Sequence, residues 1–417
     1  MVGHLRVVNA NLHDRLVDIV IADGCIARIV PAGESKRTAE TLDAEGNFIS
    51  PPYADPHLHL DAVLLAHTCP NQSGTLLEGI DNWSRARDQL TEQDLLRRVS
   101  LAVKWCVANG AGRIRTHVDS SSRLAVEVLC GLRAEIAPLV DLQVVAFPQE
   151  GVFKKSKQLE DLIWAVEAGV DCVGAIPHHE SCREDGERSI ELAFDLAEDH
   201  DLQVDLHCDE NDDPESQYII KVCQEKINRS FSGHVLAGHC TSLHSYADSV
   251  AEKTIGLIVE SGVQVVANPL DNIVLQGRLD AYPKRRGITR IPELLEAGAT
   301  VGVGHDSIVD PWYPLGSGNL LEAASMLVHV CHMTRPDQIN RVFELLVEEN
   351  HLGFGGAPRI EEGQEASFLV HSVTDPQSAI RLRSPPRWVL RKGRVVAENL
   401  PPRSSVLGES LRVGVIP

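Results

Sequence analysis

Short runs of alternating apolar and polar residues occur at both ends of the chain. Residues 5–9 and 17–21 alternate in this way, and Asp23-Gly24 stands before the next run at the position of a tight hairpin turn. The same pattern returns in residues 367–371 and 388–396. It predicts that residues 1–49 and 358–417 pair into one small β-sandwich domain.

Between these ends the period lengthens, and short apolar runs alternate with helical patterns. Residues 95–107 show the helical spacing, with apolar side chains at Leu95, Val99, Ala102 and Cys106. The eight runs that read as strands are residues 47–51, 113–118, 142–147, 172–176, 203–206, 235–238, 263–267 and 300–303. Repeated βα units predict an α/β fold, a (β/α)8 TIM-type barrel over residues 50–357.

The composition is consistent with this fold and disfavours two classes of binding partner. The chain has 417 residues, 43% of them hydrophobic, and a formal net charge of -20. That charge repels phosphate backbones and anionic lipids, so nucleic-acid polymers and membranes are poor partners. The ten cysteines show no C-x-x-C pair, the first residues lack an apolar signal core, and no stretch approaches the ~20 apolar residues that cross a bilayer. We therefore expect a cytoplasmic protein with reduced thiols.

Polar side chains concentrate where the predicted strands end. They are His57, His59, His117, Asp119, Gln149, Glu150, His178, His207, Glu210, His239, Asn268 and Asp306. In a (β/α)8 barrel the carboxyl ends of the strands meet at one face, and catalytic residues gather there. The sequence thus predicts an active site at this face.

Four of these side chains form a candidate metal site. His57 and His59 lie two residues apart, so in an extended segment both face the same side. His207 closes another strand and Asp306 a third, and three imidazoles with one carboxylate suit zinc or ferrous iron. For Asp306 alone, the competing interpretation is a helix N-cap. The matching histidines favour the metal ligand, and Gly302 and Gly304 would leave room beneath the ion.

Glu210 is the candidate proton shuttle. It follows His207 by three residues, where the chain should leave the strand and lean over the barrel mouth. Hydrolysis of a C–N bond by a metal-activated water needs a proton for the leaving nitrogen, and a carboxyl group near the ion supplies it. The alternative is a solvated acid in an acidic run, and Asp209 and Asp212 remain possible substitutes for the same role.

Longer motifs resemble the bacterial cytosine deaminases of the amidohydrolase superfamily over nearly the whole chain. The segments that carry the resemblance are residues 55–61 (DPHLHLD), 71–76 (NQSGTL), 115–119 (RTHVD), 145–151 (VAFPQEG), 207–210 (HCDE), 267–270 (ANPL), 282–290 (YPKRRGITR) and 310–316 (DPWYPLG). The resemblance implies hydrolytic deamination of a free nucleobase by a metal-activated water, in a homo-oligomer.

The resemblance also implies roles for individual residues. One divalent ion, zinc or iron, is held by His57, His59, His207 and Asp306; residues 174–178 offer no lysine for a second metal. The implied catalytic residues are Glu210, which protonates the ring nitrogen, His239, which orients the water, and Asp306, which takes its proton. The implied substrate contacts are Gln149, Leu76, Trp312 and Ser307; a plain core aromatic is the alternative for Trp312.

Ser307 departs from the family pattern, which has a second aspartate directly after the metal-bound one. A smaller, neutral residue there opens space beside the ring, and one methyl group of extra room shifts selectivity by roughly 1 to 3 kcal/mol. We rank 5-methylcytosine and cytosine first as substrates, then isocytosine, isoguanine or another cyclic amidine. A cyclic-amide hydrolase in the same barrel and a non-catalytic binding protein are the rival hypotheses.

Deamination of bases within DNA or tRNA is disfavoured. The zinc deaminases that act on flipped bases carry H-x-E together with P-C-x-x-C, and this chain has no P-C-x-x-C. Lys284-Arg285-Arg286 is a cationic triplet that suggests phosphate binding. In so acidic a chain, we interpret it instead as a solvated face or a subunit contact.

Overall fold

The computed structural model describes residues 5–35, 40–400, 404–406 and 409–411. The chain begins with a four-stranded sheet in the order β3-β2-β1-β4. Its strands are β1 (Leu5–Leu12), β2 (Arg15–Ala22), β3 (Cys25–Pro31) and β4 (Glu40–Asp43). The predicted hairpin lies between β2 and β3, where Asp23 and Gly24 have φ values of 50° and 81°. Two positive φ angles are what a tight hairpin of this hand requires.

The next strand corrects one prediction. Residues 47–51 are expected to open the barrel, but β5 (Ile49–Ser50) pairs antiparallel with residues 369–370 in a small outer sheet. The first barrel strand is instead β6 (Tyr53–Leu58). It lacks an apolar run because it carries Asp55 and His57 into the interior. The barrel tolerates Asp55 there because the backbone N–H groups of His57 and His305 donate to its carboxyl group.

Eight parallel strands form one sheet in chain order. After β6 come β7 (Ala111–Asp119), β8 (Asp141–Phe147), β9 (Cys172–Val173), β10 (Gln203–Cys208), β11 (Val235–His239), β12 (Gln264–Ala267) and β13 (Val301–Val303). A parallel bridge between Leu58 and Asp306 joins the two edges. The sheet therefore closes as the predicted (β/α)8 barrel, and the other seven predicted strands fall on β7 to β13.

Amphipathic helices surround the barrel. They are α1 (Leu76–Arg87), α2 (Glu92–Ala108), α3 (Arg123–Ile136), α4 (Ser156–Glu167), α5 (Arg183–His200), α6 (Tyr218–Asn228), α7 (Asp248–Ser261), α8 (Pro269–Leu275), α9 (Ile291–Glu296), α10 (Leu320–Val330), α11 (Pro336–Val347) and α12 (Pro376–Leu382). The Thr91 side chain caps α2 by accepting from the backbone N–H of Asp94. Within the described part of the chain, no helix is both long and apolar enough to cross a bilayer.

The C-terminal segment returns to the first sheet. A second sheet has the order β16-β15-β14-β5, and a hairpin of β17 and β18 follows it. These strands are β14 (Phe368–Val370), β15 (Trp388–Arg391), β16 (Arg394–Glu398), β17 (Ser404–Val406) and β18 (Glu409–Leu411). Ile19 and Ile21 share an apolar core with Phe368 and Trp388, separate from the barrel core.

The two chain ends thus meet in a small β unit beside the barrel. Its predicted limits, residues 1–49 and 358–417, stay a prediction. Residues 1–4, 36–39, 401–403, 407–408 and 412–417 of that range lie outside the described residues.

Candidate active site

Buried histidines and a carboxyl group meet where the barrel strands end. His57 lies on β6 with His59 just beyond it, His207 lies on β10, and His239 ends β11. Asp306 follows β13 by three residues, and all five side chains are buried. No helix begins at Asp306, which excludes its interpretation as an N-cap.

Asp306 faces both histidines of the first strand. Its Oδ1 lies 3.6 Å from His57 Nε2 and 3.5 Å from His59 Nε2. The same residues close the barrel, because the Asp306 N–H donates to the His57 carbonyl and the His59 N–H donates to the Asp306 carbonyl. Barrel closure therefore fixes where these three side chains stand.

His207 completes the predicted ligand set. Its Nε2 lies 3.1 Å from His59 Nε2. The His207 ring stacks on Phe147, with centroids 4.0 Å apart and planes 18° apart. This stacking restrains the imidazole, so that its nitrogen points toward the other histidines.

The donors fit a divalent cation. Both ring nitrogens of His57 and Nδ1 of His207 are buried and have no hydrogen-bond partner among the described residues. Burial, reinforced by neighbouring imidazoles, holds the pKa of His57, His59 and His207 well below the usual value, so these rings are neutral. Burial, together with Asp271 and Glu210, raises the pKa of Asp306. Neutral imidazoles with unshared lone pairs beside a carboxyl group suit zinc or ferrous iron.

Two other histidines stand close to the predicted ligands. Ring nitrogens of His57, His207 and His239 lie within 4.8 Å of one another, and so do ring nitrogens of His57, His59 and His117. The sequence places His117 at the end of a predicted strand but indicates no role for it. Its Nε2 lies 3.1 Å from Asp205 Oδ1, and the His117 and His57 ring centroids are 4.1 Å apart.

A buried ion pair supports His117 from below. Arg115 donates to Asp205 Oδ2 at 2.9 Å, and both side chains are fully buried. Arg115 and His117 lie two residues apart on β7, so they share a face. That spacing was the available signal, but nothing in the sequence shows that Asp205 of β10 lies opposite.

Glu210 lies beside His239 in the candidate site. Glu210 Oε1 is 3.5 Å from His239 Nδ1. Burial raises the pKa of Glu210 to about 8, so this carboxyl group carries a proton at neutral pH. The Asn272 amide lies 2.9 Å from the same His239 nitrogen and holds the ring in place. The solvated alternative for Glu210 is excluded, since the side chain is 5% exposed.

The two substitutes considered for Glu210 have other partners. Asp209 accepts from the Ser216 hydroxyl and from the backbone N–H groups of Tyr218 and Ile219, which fastens the start of α6. Asp212 accepts from the backbone N–H of Gly277. Both carboxyl groups therefore serve local structure, and the role of Glu210 as proton donor stays a prediction.

A cavity that is open to solvent lies above these groups. Its lining comprises His59, Leu76, Gln149, His207, Glu210, His239, Asp271, Leu275, Asp306, Ser307 and Trp312. All four predicted substrate contacts are among them. Asp271 and Leu275 of α8 were not predicted, because no motif distinguishes them from other residues of an amphipathic helix.

Trp312 fits both interpretations, the core aromatic and the wall of the cavity. It is 8% exposed and packs with Ile80 and Trp83 in a small apolar cluster. Its ring centroid also lies 5.8 Å from that of His59, on the cavity wall. Trp312 is therefore a packed aromatic that presents one side to the cavity.

The cationic triplet binds within the chain. Lys284 donates to the carbonyls of Gly277 and Arg278, Arg285 pairs with Asp280, and Arg286 donates to the Val330 carbonyl. The triplet fastens the loop after α8, and its three residues are exposed, as a solvated face requires. The alternative, a subunit contact, stays a prediction.

Comparisons with known proteins agree with this geometry. The model of the amidohydrolase family matches residues 73–397. The chain is similar to the crystal structure of 5-methylcytosine deaminase from Klebsiella pneumoniae liganded with 5-fluorocytosine, with a TM-score of 0.90 and 36% identity over 95% of this chain and 98% of that chain.

Two curated relatives extend the comparison. Pterin deaminase of Rhizobium rhizogenes is 30% identical over 397 residues, which cover 92% of this chain and 88% of the relative. N-isopropylammelide isopropyl amidohydrolase of Pseudomonas sp. is 25% identical over 397 residues, which cover 93% of this chain and 94% of the relative.

Proposed function

The chain belongs to the amidohydrolase family, and from this premise we propose that it deaminates a free aminated heterocycle of nucleobase size. The observation that carries the proposal is the buried Glu210 beside His239, in one cavity with the histidine and aspartate cluster, where burial raises the pKa of Glu210 to about 8. The reaction consumes water, forms a C–O bond, breaks the exocyclic C–N bond and releases ammonia. Cytosine and 5-methylcytosine are the reference substrates. Pterin is a further candidate because the 30% identical relative is a pterin deaminase.

The metal is part of the proposal. A zinc or ferrous ion held by His57, His59, His207 and Asp306 would lower the pKa of a water molecule toward ~7. The two oxygens of Asp306 suit two tasks: Oδ1 faces His57 and His59, while Oδ2 lies 3.9 Å from His239 Nδ1. Asp306 Oδ2 is therefore the atom that accepts a proton from the attacking water.

His239 and Glu210 handle the remaining steps. His239, held by Asn272, orients the water against the amine-bearing carbon. Glu210 delivers its proton to the neighbouring ring nitrogen, which makes that carbon more electrophilic. It then takes the proton of the new C–OH group and passes it to the leaving amine, and the proton on Asp306 restores Glu210. A positioned acid with a pKa near the working pH accelerates such steps by typically 10²- to 10⁴-fold.

The rest of the cavity holds the ring. Gln149 presents both a donor and an acceptor, which pair with a ring carbonyl and, in cytosine, with the adjacent N–H. Trp312 and Leu76 are apolar walls for a flat heterocycle.

Ammonia release from a substrate panel tests the proposal. The metal-loaded protein is incubated with cytosine, 5-methylcytosine, isocytosine, isoguanine and pterin, and ammonia and ultraviolet spectra are recorded. We expect Glu210→Gln to lower kcat by about 10²- to 10⁴-fold while metal content persists. Glu215→Gln is the matched control, because Glu215 is an exposed acid of the same loop.

Two outcomes would contradict the proposal. Ring opening without ammonia indicates a cyclic-amide hydrolase. Unchanged function in Glu210→Gln indicates a protein that binds bases without converting them.

A further inference from the structure

Asp271 is a buried carboxyl group on the cavity wall that the proposed mechanism does not use. It lies on α8, is 1% exposed, and lines the same cavity as Glu210 and Gln149. Its neighbour across the wall is Ser307, the residue at which this chain departs from the cytosine deaminase pattern. Asp271 and Ser307 therefore form one unit.

The hydrogen bonds of this unit are unequal. The Ser307 hydroxyl donates to Asp271 Oδ2 at 2.6 Å. Asp271 Oδ1 is buried and has no hydrogen-bond partner within the described part of the chain. A buried carboxylate oxygen without a partner is costly, so such atoms commonly have a functional reason. Here the unpaired oxygen belongs to a side chain that lines the substrate cavity.

The wall formed by this unit presents acceptors. Ser307 has one hydroxyl proton, and it is used on Asp271, so the hydroxyl oxygen offers lone pairs to a ligand. Asp271 Oδ1 offers further lone pairs. Burial and the nearby Asp310 raise the pKa of Asp271, and an N–H group donated to Oδ1 would favour its carboxylate form. A pair of substrate N–H groups is the complement of two neighbouring acceptors.

The proposed chemistry fixes which substrate edge meets the wall. Glu210 protonates the ring nitrogen on one side of the amine-bearing carbon. In the binding mode considered for the proposed reaction, the wall of Ser307 and Asp271, next to Asp306, lies beside the exocyclic amine and the ring atom on the other side. In cytosine that ring atom is a C–H carbon, whereas in isocytosine it is an N–H nitrogen.

We propose that Asp271, held by Ser307, determines specificity by accepting this ring N–H, so that the enzyme prefers cyclic guanidines over cytosine-type bases. A cyclic guanidine has an amine-bearing carbon between two ring nitrogens, as in isocytosine and 2-amino-4-oxopteridines. This inference rests on the proposed deamination and narrows its substrate. A 5-methyl group would place carbon against Asp271 Oδ1 and leave that oxygen unpaired.

Isocytosine and cytosine provide a matched test, because they are isomers of the same size. For the native metal-loaded protein we expect kcat/KM, followed by ammonia release, to be at least about tenfold higher for isocytosine. Asp271→Ala should lower the isocytosine to cytosine ratio about ten- to hundredfold, as expected for a lost hydrogen bond to a charged group. Both rates come from one preparation, so the ratio is independent of how much of a variant folds.

Two further variants separate recognition from structure. Asp271→Asn keeps the size of the side chain and replaces one acceptor oxygen by a donor, so it should also lower the ratio. Ser307→Ala keeps the carboxylate but releases it, and should lower the ratio less than Asp271→Ala does. A purely structural role of Asp271 would reduce both rates equally.

The outcomes are distinct. A native preference for cytosine, or a ratio that does not respond to substitution of Asp271, overturns the role of Asp271 and leaves deamination standing. Failure to release ammonia from any base of the panel contradicts the proposed function, and this inference with it.

Discussion

Burial sets the protonation state of the candidate acid Glu210. Desolvation raises its pKa to about 8. Burial also raises the pKa of Asp209, but there two backbone N–H groups and the Ser216 hydroxyl group counteract it. The same carboxyl chemistry therefore serves proton transfer at one position and helix anchoring at the next. Hydrogen-bond donors, more than burial, distinguish the two residues.

The pH dependence of kcat should reflect this proton. Glu210 donates in its protonated form, so activity is present below its pKa and is lost as the pH rises through about 8. We expect kcat to fall about tenfold per pH unit well above that value. The measurement is a kcat profile between about pH 6 and 10, in which Glu215→Gln should keep the alkaline limb. A residual activity of Glu210→Gln with the same limb would assign that limb to another group.

At the scale of elements, α1 shapes the cavity through a glycine. A Cβ atom at Gly79 would lie 2.4 Å from Trp312 Cδ1. Glycine at this position lets Trp312 pack on the helix and still face His59. The helix and the loop after β13 are thus fitted to each other around one aromatic ring.

Gly79→Ala should move the Trp312 ring. We expect a higher KM, by about tenfold, and a loss of about 1–3 kcal/mol in the free energy of unfolding from overpacking. Gly131→Ala in α3 is the matched control, because no atom lies within 4 Å of the Cβ added there. That variant should be unchanged or stabilised by up to about 1 kcal/mol. Equal KM values for the two variants would exclude the role of Gly79.

At the scale of the whole molecule, the same residues close the barrel and form the candidate metal site. The backbones of His57, His59 and Asp306 join the first and last strands, and their side chains point into the cluster. Occupancy of the site should therefore be coupled to the stability of the whole barrel.

Removal of divalent metal should lower Tm. A ligand that binds only the folded state at 100 times its Kd stabilises it by about 2.7 kcal/mol. Calorimetry with and without a chelator, followed by zinc or ferrous iron, measures the effect. His57→Ala should lose the response to the metal, and an identical Tm in native protein with and without the chelator would argue against the site.

The homo-oligomer implied by the resemblance also stays a prediction. Light scattering of the eluted protein measures its mass against the 45.6 kDa of one chain.

The sequence by itself determined the alternation of strands and helices, and thereby the barrel. It also placed His57, His59, His207, Glu210 and Asp306 at strand ends, because the carboxyl ends of parallel strands share one face. Family motifs added Gln149, Leu76, His239 and Trp312, which the structure brings to the same cavity or its edge. These features depend on local pattern and on neighbours along the chain.

Tertiary structure alone decided the rest. Residues 47–51 are apolar enough for a barrel strand, but β14 offers them an antiparallel partner, and the polar segment Tyr53–Leu58 enters the barrel because backbone donors satisfy Asp55. The contacts of His117 with Asp205 and of Ser307 with Asp271 join residues that are 88 and 36 positions apart. Such pairs depend on the register of strands and on where a helix packs, which no local pattern encodes.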